Sequence, residues 1–440
     1  MSASATPSHR RIPLPEGTLP VGLALLIAGV ATYAFFIIGE LALGGEDEFA
    51  PIVALWFATF SLAPGFFLPL EQEMGRALSH RRAHREGGRP VVKRIVRIGA
   101  VITSIVLIVI LLASPVITSD YFDGNWWMLA ALATAFVAYA PAHLARGICA
   151  GTGRFHSYAV VIGSDGIVRI VACVVLAIVG IEAVGPYAFA VALAPLVPVS
   201  YVAARGRLHT EPGPEASWNE VSQNLGWLLV GTVFAAALLN AGPVTANLLK
   251  GEGEDELVTR FGYGVLLARI PLFLFQAVQA ALLPRLSRLA AVGEFDEFRD
   301  GLRKLLYLVA AVGIVGTIGA FVIGPFVIEV VYDTDLSGRT LAMLALSSAL
   351  YMAALATAQA VIALQGHAFV ALGWFLGVVT FVVCTWLSSD LLFRRIEIGL
   401  VASSAVALSA FALSLHRKLA QGSVPTSGSV MEAITDLPVD

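Results

Sequence analysis

Hydrophobic positions in this chain fall in long continuous runs rather than in alternation or narrow amphipathic stripes, and each run has the length of a membrane-spanning helix. Six runs begin near Leu19, Pro51, Ile95, Trp126, Ala159 and Tyr187, and six more near Leu225, Phe261, Leu305, Thr340, Ala368 and Ile396. The second set repeats the first at an offset of about 210 residues, with loop lengths in the same order. In each copy the longest cytoplasmic loop joins the second and third runs, and a short turn, at Gly151 to Gly153 or at Gly366, joins the fourth and fifth. Because six is even, both copies cross the bilayer in the same sense. The pattern predicts an all-α integral membrane protein of about twelve transmembrane helices in two six-helix lobes related as a parallel repeat. The predicted order is an N-terminal arm (1–18), a first lobe (19–205), a linker with Pro212, Gly213 and Pro214 (206–224), a second lobe (225–418) and a tail (419–440). Both the arm and the Gly/Ser/Thr/Pro-containing tail are expected to be disordered.

Composition sharpens the picture: 58% hydrophobic and 13% charged residues, with a mean hydropathy of +0.81, exclude a soluble protein of this length. Helical spans are the default, because a helix satisfies its own backbone hydrogen bonds in hydrocarbon. The first run, Leu19 to Leu43, is longer than a signal-peptide core and occupies a repeat position, so it reads as an anchor. Cys149, Cys173 and Cys384 lie far apart, without redox or metal spacing.

Charge sets the orientation. Of the 28 Lys and Arg residues, 21 fall in loops on the side of the termini, five on the other side, and Arg169 and Arg269 lie inside spans. This asymmetry predicts cytoplasmic termini. Two cytoplasmic stretches, Met74 to Val96 and the segment from Leu286 with Leu289, Val292, Phe295, Phe298 and Leu302, read as surface helices. Their basic residues fit an ordinary positive-inside flank; the alternative is a dock for anionic lipid headgroups or a biosynthetic partner.

Helix breakers inside the runs point to a transport pathway, since discontinuous helices near a repeat interface free carbonyls that must face protein or a watery cavity. Pro64-Gly65 and Pro69 are expected to interrupt the second span, Pro195 and Pro198 the sixth, Gly242-Pro243 the seventh and Pro271 the eighth. Embedded ionisable residues are sharper still, because each costs roughly 2.5 to 3.5 kcal/mol to insert. Arg269 is one, and Gln276 and Gln279 extend the polar content of its span. Arg269 reads either as a cationic site for a phosphate-bearing substrate or as a donor to carbonyls freed near a proline. Asp165 and Arg169 stand four apart, the spacing of an ion pair on one helix face, with substrate binding or ion coupling as the alternative roles. Glu40 lies near the outer end of the first span.

No P-loop, metal-ligand spacing or catalytic constellation is present, so no cofactor, no enzymatic role and no nucleic-acid partner are expected. Asp333-Thr334-Asp335 matches an acidic glycosyltransferase motif, but it lies in a predicted external loop away from cytoplasmic nucleotide sugars.

The stretch LARIPLFLFQAVQAALLPRLSR, Leu267 to Arg288, resembles the eighth span of bacterial polysaccharide flippases, members of the multidrug, oligosaccharidyl-lipid and polysaccharide exporter superfamily. The turn RGICAGTGRFHSY, Arg146 to Tyr158, resembles the family's connection between the fourth and fifth spans. The resemblance implies a plasma-membrane flippase working by alternating access. A central cavity between the lobes would take up a polyprenyl-pyrophosphate-linked saccharide, with the lipid tail left in the bilayer. Family flippases line that cavity with basic residues, a pattern Arg269 fits best and Arg169 less well. An ion-coupled drug or metabolite antiporter of the same superfamily is the alternative, for which Asp165 and Glu40 are the candidate acids. A saccharide polymerase or ligase would need a substantial external loop, and the predicted ones have about ten residues or fewer.

The charge asymmetry makes a direct prediction. On a cysteine-free background, single cysteines at Ser79 and Ser217 should resist an impermeant thiol reagent in intact cells, whereas one at Gly253 should react. Labelling of Ser217 without labelling of Gly253 would invert the topology.

Overall fold

The computed structural model describes residues 18–218, 225–272, 275, 286, 289–290 and 293–421. Among the described residues the apolar runs fold as helices, and eleven of these are long and apolar enough to cross a membrane. The first lobe comprises α1 (Thr18–Leu43), α2 (Glu46–Ala83), α3 (Arg89–Leu112), α4 (Trp126–Gly151), α5 (Phe155–Ile178), and a sixth span broken into α6 (Val184–Leu193) and α7 (Leu196–Ala204). The second comprises α8 (Leu225–Leu249), α9 (Asp255–Ala268), α10 (Phe295–Val322), α11 (Gly324–Tyr332), α12 (Gly338–Ala363), α13 (His367–Leu387) and α14 (Leu392–Gln421). Packing repeats along with sequence. As α1 lies against α5 and α3 against α4, so α8 lies against α13 and α10 against α12.

Small residues let these helices approach closely, as membrane packing requires in the absence of a hydrophobic drive between helices. Gly147 and Gly151 of α4 rest on α2, where a Cβ at Gly147 would lie 2.7 Å from both the Glu71 carbonyl oxygen and the Met74 Cβ. Gly166 of α5 sits against α1, its added Cβ 2.6 Å from that of Ala31.

Two sequence expectations are corrected. Met74 to Val96 is not a surface helix: it comprises the last turns of α2, a turn through Arg85 in a left-handed conformation, and the first turns of α3, which starts at Arg89-Pro90. Likewise Phe295, Phe298 and Leu302 belong to the start of the long α10, while most of the stretch from Leu286 to Val292 lies outside the described residues. The change from apolar to charged residues marks the edge of the bilayer, whereas the helical hydrogen-bond ladder continues through it. The disorder expected of the arm and tail also falls outside the described residues.

Interlobe residues up to Trp218 are strapped to the first lobe. Arg81 Nη1 donates to the carbonyls of Gly87 (2.9 Å) and Pro214 (2.8 Å), the Arg89 amide to Glu211 (3.0 Å) and Arg154 to His209 (3.0 Å). The Arg94 guanidinium covers the Trp218 ring at 4.7 Å.

At the opposite end of the bundle the lobes are tied by charge. Lys250 bridges Asp123 of the first lobe (2.6 Å) and Asp255 of its own (2.5 Å), while Arg260 joins Glu46 (2.9 Å) and Asp335 (2.5 Å). Burial disfavours the Lys250 ammonium, but its hydrogen bonds to Asp123 and Asp255 outweigh that and hold its pKa above the ordinary lysine value.

The α2–α4 contact predicts that Gly147→Val lowers the thermal unfolding midpoint and the yield of monodisperse protein, since overpacking costs about 1–3 kcal/mol. Gly316→Ala, where an added methyl meets nothing within 4 Å, should leave both unchanged.

Candidate functional site

Both embedded arginines converge on one turn of α2, although they are a hundred residues apart. Arg169 reaches it from α5. Its buried guanidinium pairs with Asp165 one turn earlier on the same helix and lies 4.6 Å from the Trp56 ring centroid and 5.6 Å from that of Phe60. Trp56 and Phe60 share a helix face, and Phe57 presents the next. Over Phe57, at 5.6 Å, stands Arg269 of the second lobe. Its own helix, α9, stops at Ala268 ahead of Pro271, and Arg269 occupies the break, turning its guanidinium back to α8. There it donates to Asn240 Oδ1 (2.8 Å) and to the carbonyl of Leu239. These contacts match the carbonyl-donor reading of Arg269 and still leave it partly exposed at the junction of the lobes.

The prolines explain which carbonyls are available. Pro64, Pro69 and Pro243 were expected to interrupt their spans, yet α2 runs unbroken through Pro51, Pro64 and Pro69, and α8 through Gly242 and Pro243. What a proline removes is one N–H, and with it the partner of the carbonyl four residues earlier. Those carbonyls belong to Phe60, Gly65 and Leu239, and each has a side-chain donor. Asn240 Nδ2 donates to Phe60 at 3.0 Å, the Thr232 hydroxyl to Gly65 at 2.8 Å, and Arg269 to Leu239. The first two bonds cross between lobes. Gly65 makes that approach feasible, since a Cβ there would come within 2.9 Å of the Val233 Cα. Gly242 lies instead inside the second lobe, against Leu400, Phe261 and Ile396.

Beside Arg269 a small cavity of about 30 Å³ opens among Leu239, Pro243, Ser347, Ser348, Tyr351 and Ser404. Its lining mixes serines and a tyrosine with apolar side chains, and its size suits one or two waters. Tyr351 donates to the Ala235 carbonyl at 2.9 Å, and Tyr33 of the first lobe donates to Leu266 at 2.6 Å, so the surroundings of Arg269 are pinned from both sides.

Other sequence candidates lie apart. Glu40 sits near the far end of α1, partly buried, its carbonyl accepting from the amides of Gly44 and Gly45 in the turn to α2. Gln276 and Gln279 lie outside the described residues. Sequence reasoning missed a buried cluster in the first lobe that it had assigned to cytoplasmic flanks: Glu71 accepts from His143 Nδ1 (2.9 Å), Arg146 (2.7 Å) and the Tyr158 hydroxyl (2.9 Å). The donor roles of Asn240 and Thr232 across the lobes also escaped it. The available signal was register: each is a polar residue in an apolar span that also holds, or faces, a proline.

No family model matches this chain. Over 373 residues it is 25% identical to an uncharacterised protein of Mycobacterium bovis and to one of Mycobacterium tuberculosis, covering 80% of this chain and 81% of each relative. Among solved structures it superposes on a multidrug resistance MATE family transporter of the MOP superfamily in an inward-facing conformation, with a TM-score of 0.68, 14% identity, and coverage of 92% and 98% of the two chains. The Vibrio cholerae MATE transporter VcmN gives 0.64 at 16% identity, covering 92% and 97%. The fold is that of the MATE transporters. Two-lobed multi-pass architecture is thereby established.

The Asp165–Arg169 contact yields a prediction. Removing either partner alone leaves an unpaired buried charge, worth about 3–5 kcal/mol, and should lower the amount of folded protein; replacing both with apolar residues should restore it. Normal levels of both single variants, with transport lost, would assign the pair to transport instead.

Proposed function

We propose that this protein carries a polyprenyl-pyrophosphate-linked saccharide, a precursor of a cell-surface polysaccharide, across the bacterial plasma membrane by alternating access, with both termini cytoplasmic. The observation that carries the reading is Arg269, a guanidinium held at a helix break on the junction of two transporter-fold lobes. Its planar fork matches the oxygens of a diphosphate, and among the described residues it bonds to neutral acceptors, Leu239 O and Asn240 Oδ1. A charged acceptor makes bonds about twice as strong, so a diphosphate competes effectively for the same fork. Arg169 is already neutralised by Asp165 and serves the aromatic wall of α2 more than the substrate. Among the described residues Arg269 is an embedded cation held by neutral acceptors alone, and such a charge suits a single diphosphate with a neutral or weakly charged sugar. The cavity beside Arg269, lined by second-lobe residues, is far smaller than a saccharide, so this reading requires a wider opening to form at the Arg269 side of the lobe junction.

Ion-coupled export of a drug or metabolite is the second reading, favoured by the multidrug resistance transporter of like fold and by the carboxylate of Glu71 buried in the first lobe.

Headgroup flipping of a polyprenyl-linked saccharide in reconstituted vesicles separates the two readings. Arg269→Ala should cut flipping at least about tenfold, and the orphaned Leu239 carbonyl should lower stability by only about 1–3 kcal/mol. Arg269→Lys should keep part of the activity, retaining the charge but losing the bidentate geometry. Full flipping by Arg269→Ala would remove the residue from the mechanism, and drug efflux without flipping would establish the second reading.

A further inference from the structure

The two proline-released carbonyls of α2 have a property that ordinary helix carbonyls lack. No bond of their own helix depends on them, so a partner can leave without any helical N–H losing its acceptor. The donors on α8 are matched to this. The Thr232 hydroxyl stands 2.8 Å from the Gly65 carbonyl across the seam and also 2.8 Å from the Leu228 carbonyl of its own helix. Its single proton can therefore be given to either. Asn240 Nδ2 lies 3.0 Å from Phe60 across the seam and 3.2 Å from Ala236 on its own helix. Each donor thus keeps a home acceptor in the second lobe when the first lobe moves away, and the released carbonyls of α2 then face an opened cleft where water can serve them.

We propose that Phe60, Gly65, Thr232 and Asn240 form a reversible latch between the lobes, and that Asn240 couples it to the anion site. The amide of Asn240 spans both functions: Oδ1 accepts from Arg269 while Nδ2 donates to Phe60. An anion that draws the Arg269 guanidinium away leaves Oδ1 without its charged donor, the amide loses its fixed orientation, and the bond to Phe60 gives way. Occupancy of Arg269 thereby loosens the seam next to it. This coupling rests on the reading of Arg269 as the anion site; the latch itself rests only on the seam.

The test is the interlobe distance in the full chain, reconstituted in nanodiscs and measured by pulsed electron resonance between spin labels at Ser119 and Ser388, exposed residues at the same end of opposite lobes, with the three native cysteines replaced. Pro64→Ala gives the Phe60 carbonyl a donor within its own helix, and Thr232→Val removes the other crossing hydroxyl while keeping its shape. Both substitutions suit a helix, and monodispersity confirms folding. Each should raise the ratio of parted to joined lobes about fivefold, the value of one hydrogen bond. The wild-type protein should shift the same way with geranylgeranyl diphosphate but not with geranylgeraniol. Unchanged distributions in both variants would overturn the latch. Bound geranylgeranyl diphosphate without a shift would overturn the coupling through Asn240. If the diphosphate fails to bind while both variants still shift, the anion reading of Arg269 falls and the latch stands.

Discussion

A backbone carbonyl in hydrocarbon must find a donor within the protein, and most of this structure follows from that constraint. It makes every span a helix, and it turns each proline from a break into an unpaired acceptor at a known place. Phe60, Gly65 and Leu239 are such acceptors, and their three donors all come from the second lobe: Asn240 and Thr232 of α8, and Arg269 just past α9. The polar residues that look anomalous in these apolar spans are thus the complement of the prolines. Where a charge is also embedded, it is either neutralised in place, as Arg169 is by Asp165, or spent on neutral acceptors, as Arg269 is.

The second constraint is aromatic. Trp56, Phe57 and Phe60 give α2 two faces that each receive a guanidinium, one from either lobe. Cation–π contact allows both charges to be held near one helix without a carboxylate for each. That arrangement leaves Arg269 bonded to neutral acceptors, without a carboxylate partner among the described residues, and close to the lobe junction.

Fold class and repeat were legible because length and periodicity of apolar runs determine them; even the broken sixth span was marked by Pro195 and Pro198. The ion pair of Asp165 and Arg169 was legible because it is local, set by four-residue spacing. What escaped was long-range. Nothing in the sequence near Pro64 says that Asn240, 176 positions later, supplies the missing donor. The Glu71, His143, Arg146 and Tyr158 cluster escaped for a related reason. Its members stand at the margins of spans, where a charge reads as a loop until packing shows that three helices hold it together. The expected surface helices failed because side-chain polarity reports the membrane boundary while backbone hydrogen bonding sets the helix boundary.

The strapped linker limits how far the lobes can travel. The arginines of the first lobe hold the chain as far as Trp218, and the seven peptide steps from there to Leu225, where α8 begins, can span about 25 Å at most. The peptide is thus a leash at one end of the molecule. A rigid cargo too wide for that leash would have to be accommodated at the opposite end, where charged side chains, rather than covalent bonds, hold the halves together.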